Sequence, residues 1–339
     1  MKLVMTLLVR NEADIVDAQI AFHLNVGVDF VIATDNRSED GTTEILERYQ
    51  REGVLHLIRE DGDDLRQSEW VTRMARLASE FGADWVINSD GDEFWLPRAA
   101  SFREVLEAVP DRFGVIRGAW RNFVPRPEHE PFFAERMTVR LCTTTYLDVP
   151  MATVLKSIHR ATPDVKVGRG NHEAFGDGLV PLRGWYPIEI LHFPIRSREQ
   201  CRRKYVTQYL TLERNPDKGT PAPIVDGYNA DRAGRFDEFY DPLIVRDGDL
   251  ERLVADGDLA VDTRLREILR GLRDDSSPAL RRPSLEDDAL FAAEVSVIPD
   301  SDLANVLEER VVDLEAGVAR LEHRSVRARG LALGRRFAR

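Results

Sequence analysis

The sequence predicts an α/β protein whose core is a mainly parallel, Rossmann-like sheet flanked by helices. Runs of strand length alternate with helical patterns through the first hundred residues, and their spacing is that of successive βαβ units. The length and composition agree with such a fold, because 339 residues that are 43% hydrophobic can bury a substantial core. No apolar run approaches the roughly 18 residues that a membrane-spanning helix needs.

The individual elements follow from the periodicity of apolar residues. Continuous apolar or β-branched runs indicate strands, whereas apolar residues three and four positions apart indicate helices. Strands are predicted at 2–9, 29–34, 54–58, 84–88 and 113–121, and helices at 12–25, around 45–49 and at 67–81.

The composition of the chain changes at about residue 215. Residues 1–215 carry the strand and helix pattern and are predicted as the main domain. Residues 216–260 are rich in Pro, Gly and Asp, which predicts long loops or a flap. Residues 261–325 are predicted as a mostly helical extension, and 326–339 as a basic tail.

Two features of the C-terminal region each allow two interpretations. A short heptad seam fits either a helix docked on the rest of the chain or a homodimer contact. The final 17 residues hold six Arg and no acid, which fits a solvated tail or attraction to an anionic membrane surface. The seam consists of Leu307, Val311, Leu314, Val318 and Leu321.

Charge and cysteine content disfavour other classes of protein. A net charge of −12 disfavours generic nucleic-acid binding. Cys142 and Cys201 are too few and too far apart for a disulfide scaffold, which favours a cytoplasmic location. The apolar start, 1–9, runs into charged residues without a small-residue cleavage site, so a strand is predicted rather than a secretory signal.

Three of the predicted strands end in polar residues. Parallel sheets bind ligands at the carboxyl ends of their strands, near the point where strand order reverses. No Gly-x-Gly-x-x-Gly and no P-loop sequence follows the first strand, which disfavours a dinucleotide site and a P-loop NTPase. The three polar segments are 10–12 (RNE), 35–42 (DNRSEDGT) and 89–95 (SDGDEFW).

The step Asp90-Gly91-Asp92 predicts a site for Mn²⁺ or Mg²⁺. Two carboxylates one residue apart can share such a cation, and the small Gly91 lets a phosphate approach the backbone. The ion would keep open positions for diphosphate oxygens. The string also occurs at 61–63, 247–249 and 256–258, where solvated turns are expected. A structural turn is the alternative at Asp90 as well, but the apolar strand before it favours metal binding.

The order and spacing of these motifs resemble the family 2-like glycosyltransferases of the GT-A (nucleotide-diphospho-sugar transferase) fold. The likeness is closest to a bacterial subgroup whose second strand ends in Asp-Asn-x-Ser-x-Asp-Gly-Thr. It covers residues 1–125 well, the implied nucleotide-sugar half, and extends loosely into 126–215, the implied acceptor half. The matching residues are Asn11, Glu12, Asp35, Asn36, Ser38, Asp40, Gly41, Thr42, Asp90 and Asp92.

The resemblance implies a role for several of these residues. Glu12 and Asp35 would contact ribose hydroxyls and the uracil edge, Asp90 would lie by the ribose and the metal, and Asp92 would be the principal metal ligand. For Asp35 and Asp40 a capped loop entering a helix is an alternative that can hold at the same time. The expected donor-binding set is Arg10, Asn11, Glu12, Asp35, Asn36, Ser38, Asp90 and Gly91.

A histidine is expected to complete the metal shell. GT-A enzymes often place a late histidine there, and His192, at the end of an apolar strand, resembles that position. Imidazole suits Mn²⁺ well. The alternative is a hydrogen-bonded core histidine, and His172 is a second candidate as a ligand or acceptor contact.

The general base and the diphosphate clamp are less well defined. Direct displacement with inversion needs a carboxylate to take the proton of the acceptor hydroxyl. The usual Glu-Asp pair of the family has no obvious counterpart, so Glu173, next to His172 in the sequence, is the predicted base, with Asp148 and Asp177 as alternatives. Asp92 is the other predicted catalytic residue. Arg73, Lys156 and Arg196 are candidate diphosphate contacts, with solvation the alternative for Arg73, and Lys204 is expected on the surface.

These features together predict a metal-dependent, hexosyltransferase-like glycosyltransferase. It would move a sugar from a UDP-sugar to a hydroxyl acceptor, such as a glycan or a lipid-linked glycan, with inversion. The alternatives are a nucleotide-sugar-binding protein or a sugar nucleotidyltransferase on the same fold. Nucleotidyltransferases usually carry a Gly-rich basic loop after the first strand, which residues 10–13 do not resemble.

Overall fold

The computed structural model describes residues 1–62, 66–142, 145–146, 149–150, 154–213, 221–274, 280, 287–288 and 291. The chain divides into two compact units, Met1–Asp288 and Ala289–Arg339, and the description below concerns the first. The predicted heptad seam and basic tail lie outside the described residues.

Strands and helices alternate through residues 3–90, as predicted for the first part of the chain. The strands are β1 (Leu3–Val9), β2 (Phe30–Asp35), β3 (Leu55–Arg59), β4 (Trp85–Asp90), β5 (Glu93–Pro97), β6 (Val115–Asn122), β7 (Val139–Leu141), β8 (Thr145–Tyr146), β9 (Val149–Pro150), β10 (Leu155–Arg160), β11 (Lys166–Val167), β12 (Ala174–Phe175), β13 (Ile188–His192) and β14 (Leu259–Val261). The helices are α1 (Val16–Val26), α2 (Thr42–Arg51), α3 (Gln67–Glu80), α4 (Phe102–Glu107), α5 (Phe133–Arg136), α6 (Arg198–Glu213), α7 (Ala222–Arg232), α8 (Phe236–Tyr240), α9 (Asp247–Ala255) and α10 (Arg264–Arg273).

Eight of the described strands form one sheet in the order β3-β2-β1-β4-β10-β6-β13-β5. β1, β2, β3 and β4 are mutually parallel, and β13 is parallel to β6. β10 and β5 run antiparallel to their neighbours. β1 lies between β2 and β4, so strand order reverses there. The α/β fold with a mainly parallel sheet, which the resemblance implies, is therefore the fold that the structure has.

The sheet is buried on both faces, which explains the continuous apolar runs of its central strands. Leu3 and Met5 of β1 pack with α1 on one side, whereas Val4 packs with Val71 and Met74 of α3 on the other. The carboxyl ends of these strands are consequently held in fixed positions by a packed core.

The region predicted as loops or a flap contains helices instead. Within 221–260 the chain forms α7, α8 and α9. Pro221 precedes α7 and another Pro lies in its first turn, where no backbone donor is lost. Within the described residues 221–260, several of the Pro, Gly and Asp residues therefore lie at helix ends. Each helix in the described ranges is too short or too polar to cross a membrane.

A buried histidine in the sheet provides a test of the packing. His159 of β10 is fully buried, and burial lowers its pKa to about 4. His159 binds a proton more tightly in the unfolded chain than in the folded one. The free energy of unfolding therefore falls as the pH drops below about 6.5. The free energy of unfolding of wild type, relative to His159→Gln, should fall by about 2 kcal/mol between pH 7 and pH 5.

Urea unfolding of both proteins at the two pH values measures this difference. Comparison with the variant cancels the titration of carboxylates elsewhere in the chain. The matched control is His129→Gln, because His129 is exposed and its replacement should give no such change. A constant difference between wild type and His159→Gln would contradict the packing described for β10.

Candidate active site

A pocket of about 400 Å³ opens at the carboxyl ends of β1 and β4, where strand order reverses. Its walls come from the segments after these two strands, from β6 and β13, and from α6. The predicted site residues that line it are Arg10, Asn11, Glu12, Asn36, Asp90, Gly91, Asp92 and His192. Those that do not are Asp35, Ser38, Arg73, Lys156, Glu173 and Arg196.

Strand register explains why distant residues meet here. Leu8 of β1 pairs with Asp90, and Val9 pairs with Asp35. The residues after β1 therefore lie beside the ends of both β2 and β4. A Cβ at Gly91 would lie 3.2 Å from Val9 and 3.3 Å from Glu12, so any larger residue would push against the segment that follows β1.

The loop after β2 is organised by its own side chains. Asp35 accepts hydrogen bonds from the Ser38 amide at 3.1 Å and the Thr43 hydroxyl at 2.5 Å. The Ser38 hydroxyl in turn accepts from the Asn11 amide at 2.9 Å, which locks the two loops together. Asp35 and Ser38 thus have the local loop-forming role that was the alternative for Asp35, and Asn36 is the residue of this loop that reaches the pocket.

Asp92 and His192 face each other across the pocket. His192 pairs in register with Asn122 of β6 and with Glu93 of β5, which puts its ring beside the Asp92 side chain. The distance from His192 Nε2 to Asp92 Oδ2 is 3.7 Å. Trp120 stacks on the imidazole with 3.9 Å between ring centroids, so the ring is held firmly in place.

The protonation of His192 suits a cation ligand. Its Nδ1 lies 2.7 Å from Asn122 Oδ1, so this nitrogen donates and Nε2 carries the lone pair. Burial lowers the pKa of His192 although Asp92 acts in the opposite direction. Burial raises the pKa of Asp92, but Lys204 and His192 outweigh it and hold that pKa well below its ordinary value. Asp92 Oδ2, the oxygen that faces His192, accepts from the Lys204 ammonium at 2.7 Å, so a cation bound by Asp92 and His192 would share this carboxylate with Lys204.

These two side chains fit a divalent cation, with Asn122 orienting the imidazole from behind. Among the residues described, no group of three or more His, Cys, Asp or Glu converges on one point. Asp90, the other predicted ligand, is 2.5 Å from Lys156 instead. The protein would thus supply Asp92 and His192, and the remaining ligands would come from a bound molecule.

Lys156 lies behind the pocket wall rather than in it. Its ammonium, 1% exposed, contacts Asp90 at 2.5 Å and Glu93 at 2.8 Å and sits 5.1 Å from the centre of the Trp120 ring. Glu93 is fully buried and also accepts from the Trp120 indole at 2.8 Å. The sequence placed Lys156 among the diphosphate contacts, but in the structure it neutralises two acids of the scaffold.

Arg196 is occupied in the same way. It pairs with Glu12 and Asp14 and donates to the Phe193 carbonyl at 3.1 Å, while only 1% of its side chain is exposed. Glu12 lines the pocket, and burial raises its pKa to about 7 against the opposing effect of Arg196. Arg196 therefore positions Glu12 instead of reaching the pocket itself.

Three further candidates lie elsewhere. Glu173, the predicted base, is 2.5 Å from Arg117 outside the pocket. His172, the alternative metal ligand, directs Nδ1 to the Leu155 carbonyl at 2.8 Å, and Arg73 is 2.5 Å from Glu60. The alternative base Asp177 is exposed, and Asp148 lies outside the described residues.

One wall of the pocket was not expected from the sequence. α6 contributes six polar side chains spaced three and four residues apart, so they share one face of the helix. They include Lys204, which was expected on the surface but lies 2.7 Å from Asp92. The helical repeat of polar residues was the available signal, and it was overlooked because polar faces usually indicate solvent. The six are Gln200, Arg203, Lys204, Thr207, Gln208 and Thr211.

Comparisons with known proteins give matches among solved structures. No family model and no curated protein matches the sequence. The chain is similar to the 1–349 fragment of S. aureus TarS, with 14% identity and a TM-score of 0.35 over 81% of this chain and 87% of that one. The same fragment in complex with UDP-GlcNAc is 12% identical, with a TM-score of 0.34, over 81% of this chain and 88% of that one. The chain is also similar to glucosyl-3-phosphoglycerate synthase from Mycobacterium tuberculosis in complex with Mn²⁺, UDP and phosphoglyceric acid. The identity is 17% and the TM-score 0.26, over 38% of this chain and 44% of that one.

Proposed function

We propose that this pocket transfers a sugar from a nucleoside diphosphate donor, a UDP-sugar, to a hydroxyl acceptor. The observation that carries the proposal is the meeting of Asp92 with His192 at the reversal of strand order, in a pocket that also presents Arg10 and Lys204. A nucleotide-sugar needs acceptors for its hydroxyls and positive charge for its diphosphate. The pocket supplies both.

A bound Mn²⁺ or Mg²⁺ would offset the charge of the diphosphate. Asp92 and His192 are the residues that would hold it. Trp120 and Asn122 keep the His192 ring in place whether or not the cation is bound, because both contacts are made within the protein. Asp90 supports the site from the side, where Gln67 and Asn171 donate to its other oxygen at 3.4 and 3.1 Å.

The transfer itself requires an inverting displacement in this proposal. The acceptor oxygen bonds to the anomeric carbon, the bond to the diphosphate oxygen breaks, and a carboxylate takes the hydroxyl proton. Glu173 lies outside the pocket. Among the described residues, the carboxylates that line the pocket are those of Glu12, Asp90 and Asp92. A hydroxyl of a glycan or a lipid-linked glycan is the proposed acceptor.

Nucleotide binding tests the donor. With Mn²⁺ present, UDP at about a hundred times its dissociation constant should stabilise the protein by about 2.7 kcal/mol and raise the melting temperature by roughly 4 °C. GDP and dTDP serve as matched ligands and should give smaller shifts. If none of the three nucleotides changes the melting temperature, the donor assignment is wrong.

A protein that only binds nucleotide-sugars is the alternative, because the predicted base Glu173 lies outside the pocket. Slow hydrolysis of UDP-sugars to UDP without an acceptor separates the two. We expect UDP release above the rate without protein. Binding without release, also in the presence of glycan acceptors, would favour the binding protein.

A further inference from the structure

Four basic side chains surround the acidic corner of the pocket, and they differ in which atoms they contact. The side chains of Lys156 and Arg196 are 1% exposed, and their nitrogens donate to the carboxylates of Asp90 and Glu93 and of Glu12 and Asp14. Neither lines the pocket. Lys204 and Arg203 come from α6 and do line it. The positive charge that faces a ligand therefore comes from Lys204 and Arg203 of α6 and from Arg10 after β1.

The Lys204 ammonium uses two of its three N–H donors within the described part of the protein. It donates to Asp92 Oδ2 at 2.7 Å and to the Pro194 carbonyl at 3.1 Å. An ammonium has three N–H donors, and no third acceptor is within hydrogen-bond distance of it in the described part of the chain. The side chain is 24% exposed, so the remaining donor is open to the pocket.

Arg203 adds a second unsatisfied donor. Its closest charged partner is Asp40, 3.7 Å away. Its Nε–H is buried and donates to none of the described residues. Arg10, on the opposite side of the pocket, also has a buried Nε–H of this kind. Buried donors without partners are costly unless a ligand satisfies them, and an anion is the chemistry that would.

We propose that Lys204, with Arg203 beside it on α6, binds the diphosphate of the nucleotide-sugar. The inference rests on the proposed function and names the residues that hold the charged part of the donor. Phosphate oxygens suit an ammonium with a free donor and a guanidinium. In the protein without a ligand, the Lys204 ammonium already neutralises Asp92, so this carboxylate repels a diphosphate less than an unpaired one would.

Binding of three probes, uridine, UDP and inorganic pyrophosphate, tests the proposal. Lys204→Met should weaken UDP and pyrophosphate by about 10- to 100-fold, the range expected for one charge-assisted hydrogen bond. Uridine binding should change by less than about twofold, because uridine carries no phosphate. Lys204→Arg should retain most of the affinity. Lys166→Met, at an exposed lysine of β11, is the matched control.

A second measurement separates direct contact from the loss of a partner for Asp92. Amine acylation of the wild-type protein, followed by mass spectrometry, reports the accessibility of each lysine. UDP and pyrophosphate should both slow acylation of Lys204 and leave Lys166 unchanged. A lysine that merely neutralised Asp92 would not be protected by pyrophosphate.

The outcomes distinguish this inference from the proposed function. If wild type binds UDP and Lys204→Met binds it within about threefold, or loses uridine to the same degree, the inference is overturned and the function stands. Unchanged acylation of Lys204 under saturating pyrophosphate overturns it as well. If wild type binds no nucleoside diphosphate, the proposed function itself fails.

Discussion

Replacing Asp92 by Asn should lower the rate of sugar transfer, or of UDP-sugar hydrolysis, on the order of 100-fold or more. Asp92 pairs with Lys204 at 2.7 Å and faces the free nitrogen of His192 at 3.7 Å. The amide keeps the shape of the side chain but removes its charge, so the corner loses both its cation ligand and the partner of Lys204. Initial rates and Mn²⁺-dependent UDP affinity measure the loss.

Urea unfolding of Asp92→Asn measures the stability that is lost with the Asp92–Lys204 pair, and the rates are compared at a temperature where the variant is folded. The matched control is Asp249→Asn, from another Asp-Gly-Asp step of the sequence. Asp249 lies in the first turn of α9 with 59% of its side chain exposed. Its replacement should leave rates unchanged. Full activity of Asp92→Asn would show that the Asp92–His192 pair is not the centre of the site.

The sequence predicted the fold because the N-terminal strands are buried on both faces. A strand such as β1 then appears as an uninterrupted apolar run, and the polar residues that follow it mark its end. For that reason the sequence alone predicts that Glu12, Asp90 and Asp92 lie close together. β5 was missed because Glu93, at its start, is a buried acid whose partner Lys156 is 63 positions away in the chain.

The basic side chains were harder to place, for a physical reason. A charge pattern does not show whether a lysine points at a ligand or at a buried acid. Lys156 stands in a strand of the sheet and pairs inward, whereas Lys204 stands on a helix whose polar face lines a pocket. α6 has no apolar stripe that would have revealed which side faces the protein. Only the three-dimensional arrangement distinguishes the two lysines.

Replacing Lys156 by Met should destabilise the protein by about 3–5 kcal/mol, the typical cost of leaving a buried charge without its partner. The Lys156 ammonium is the cation beside Glu93, which is fully buried, and beside Asp90. Methionine fills the space but leaves the carboxylates uncompensated. Urea unfolding at pH 7.5 measures the free energy, and exposed Lys166→Met should change it by less than about 0.5 kcal/mol.

A double variant identifies the cause of this loss. Gln at position 93 carries no charge, and its single oxygen can accept one of the two hydrogen bonds that Glu93 accepts from the Trp120 indole and the Asp90 backbone amide. Lys156→Met combined with Glu93→Gln should therefore be more stable than Lys156→Met alone. A loss below about 1 kcal/mol in the single variant would contradict the buried pair. With Lys204→Met, the series separates the two lysines by different measurements: loss of folding stability for Lys156, and loss of diphosphate affinity for Lys204.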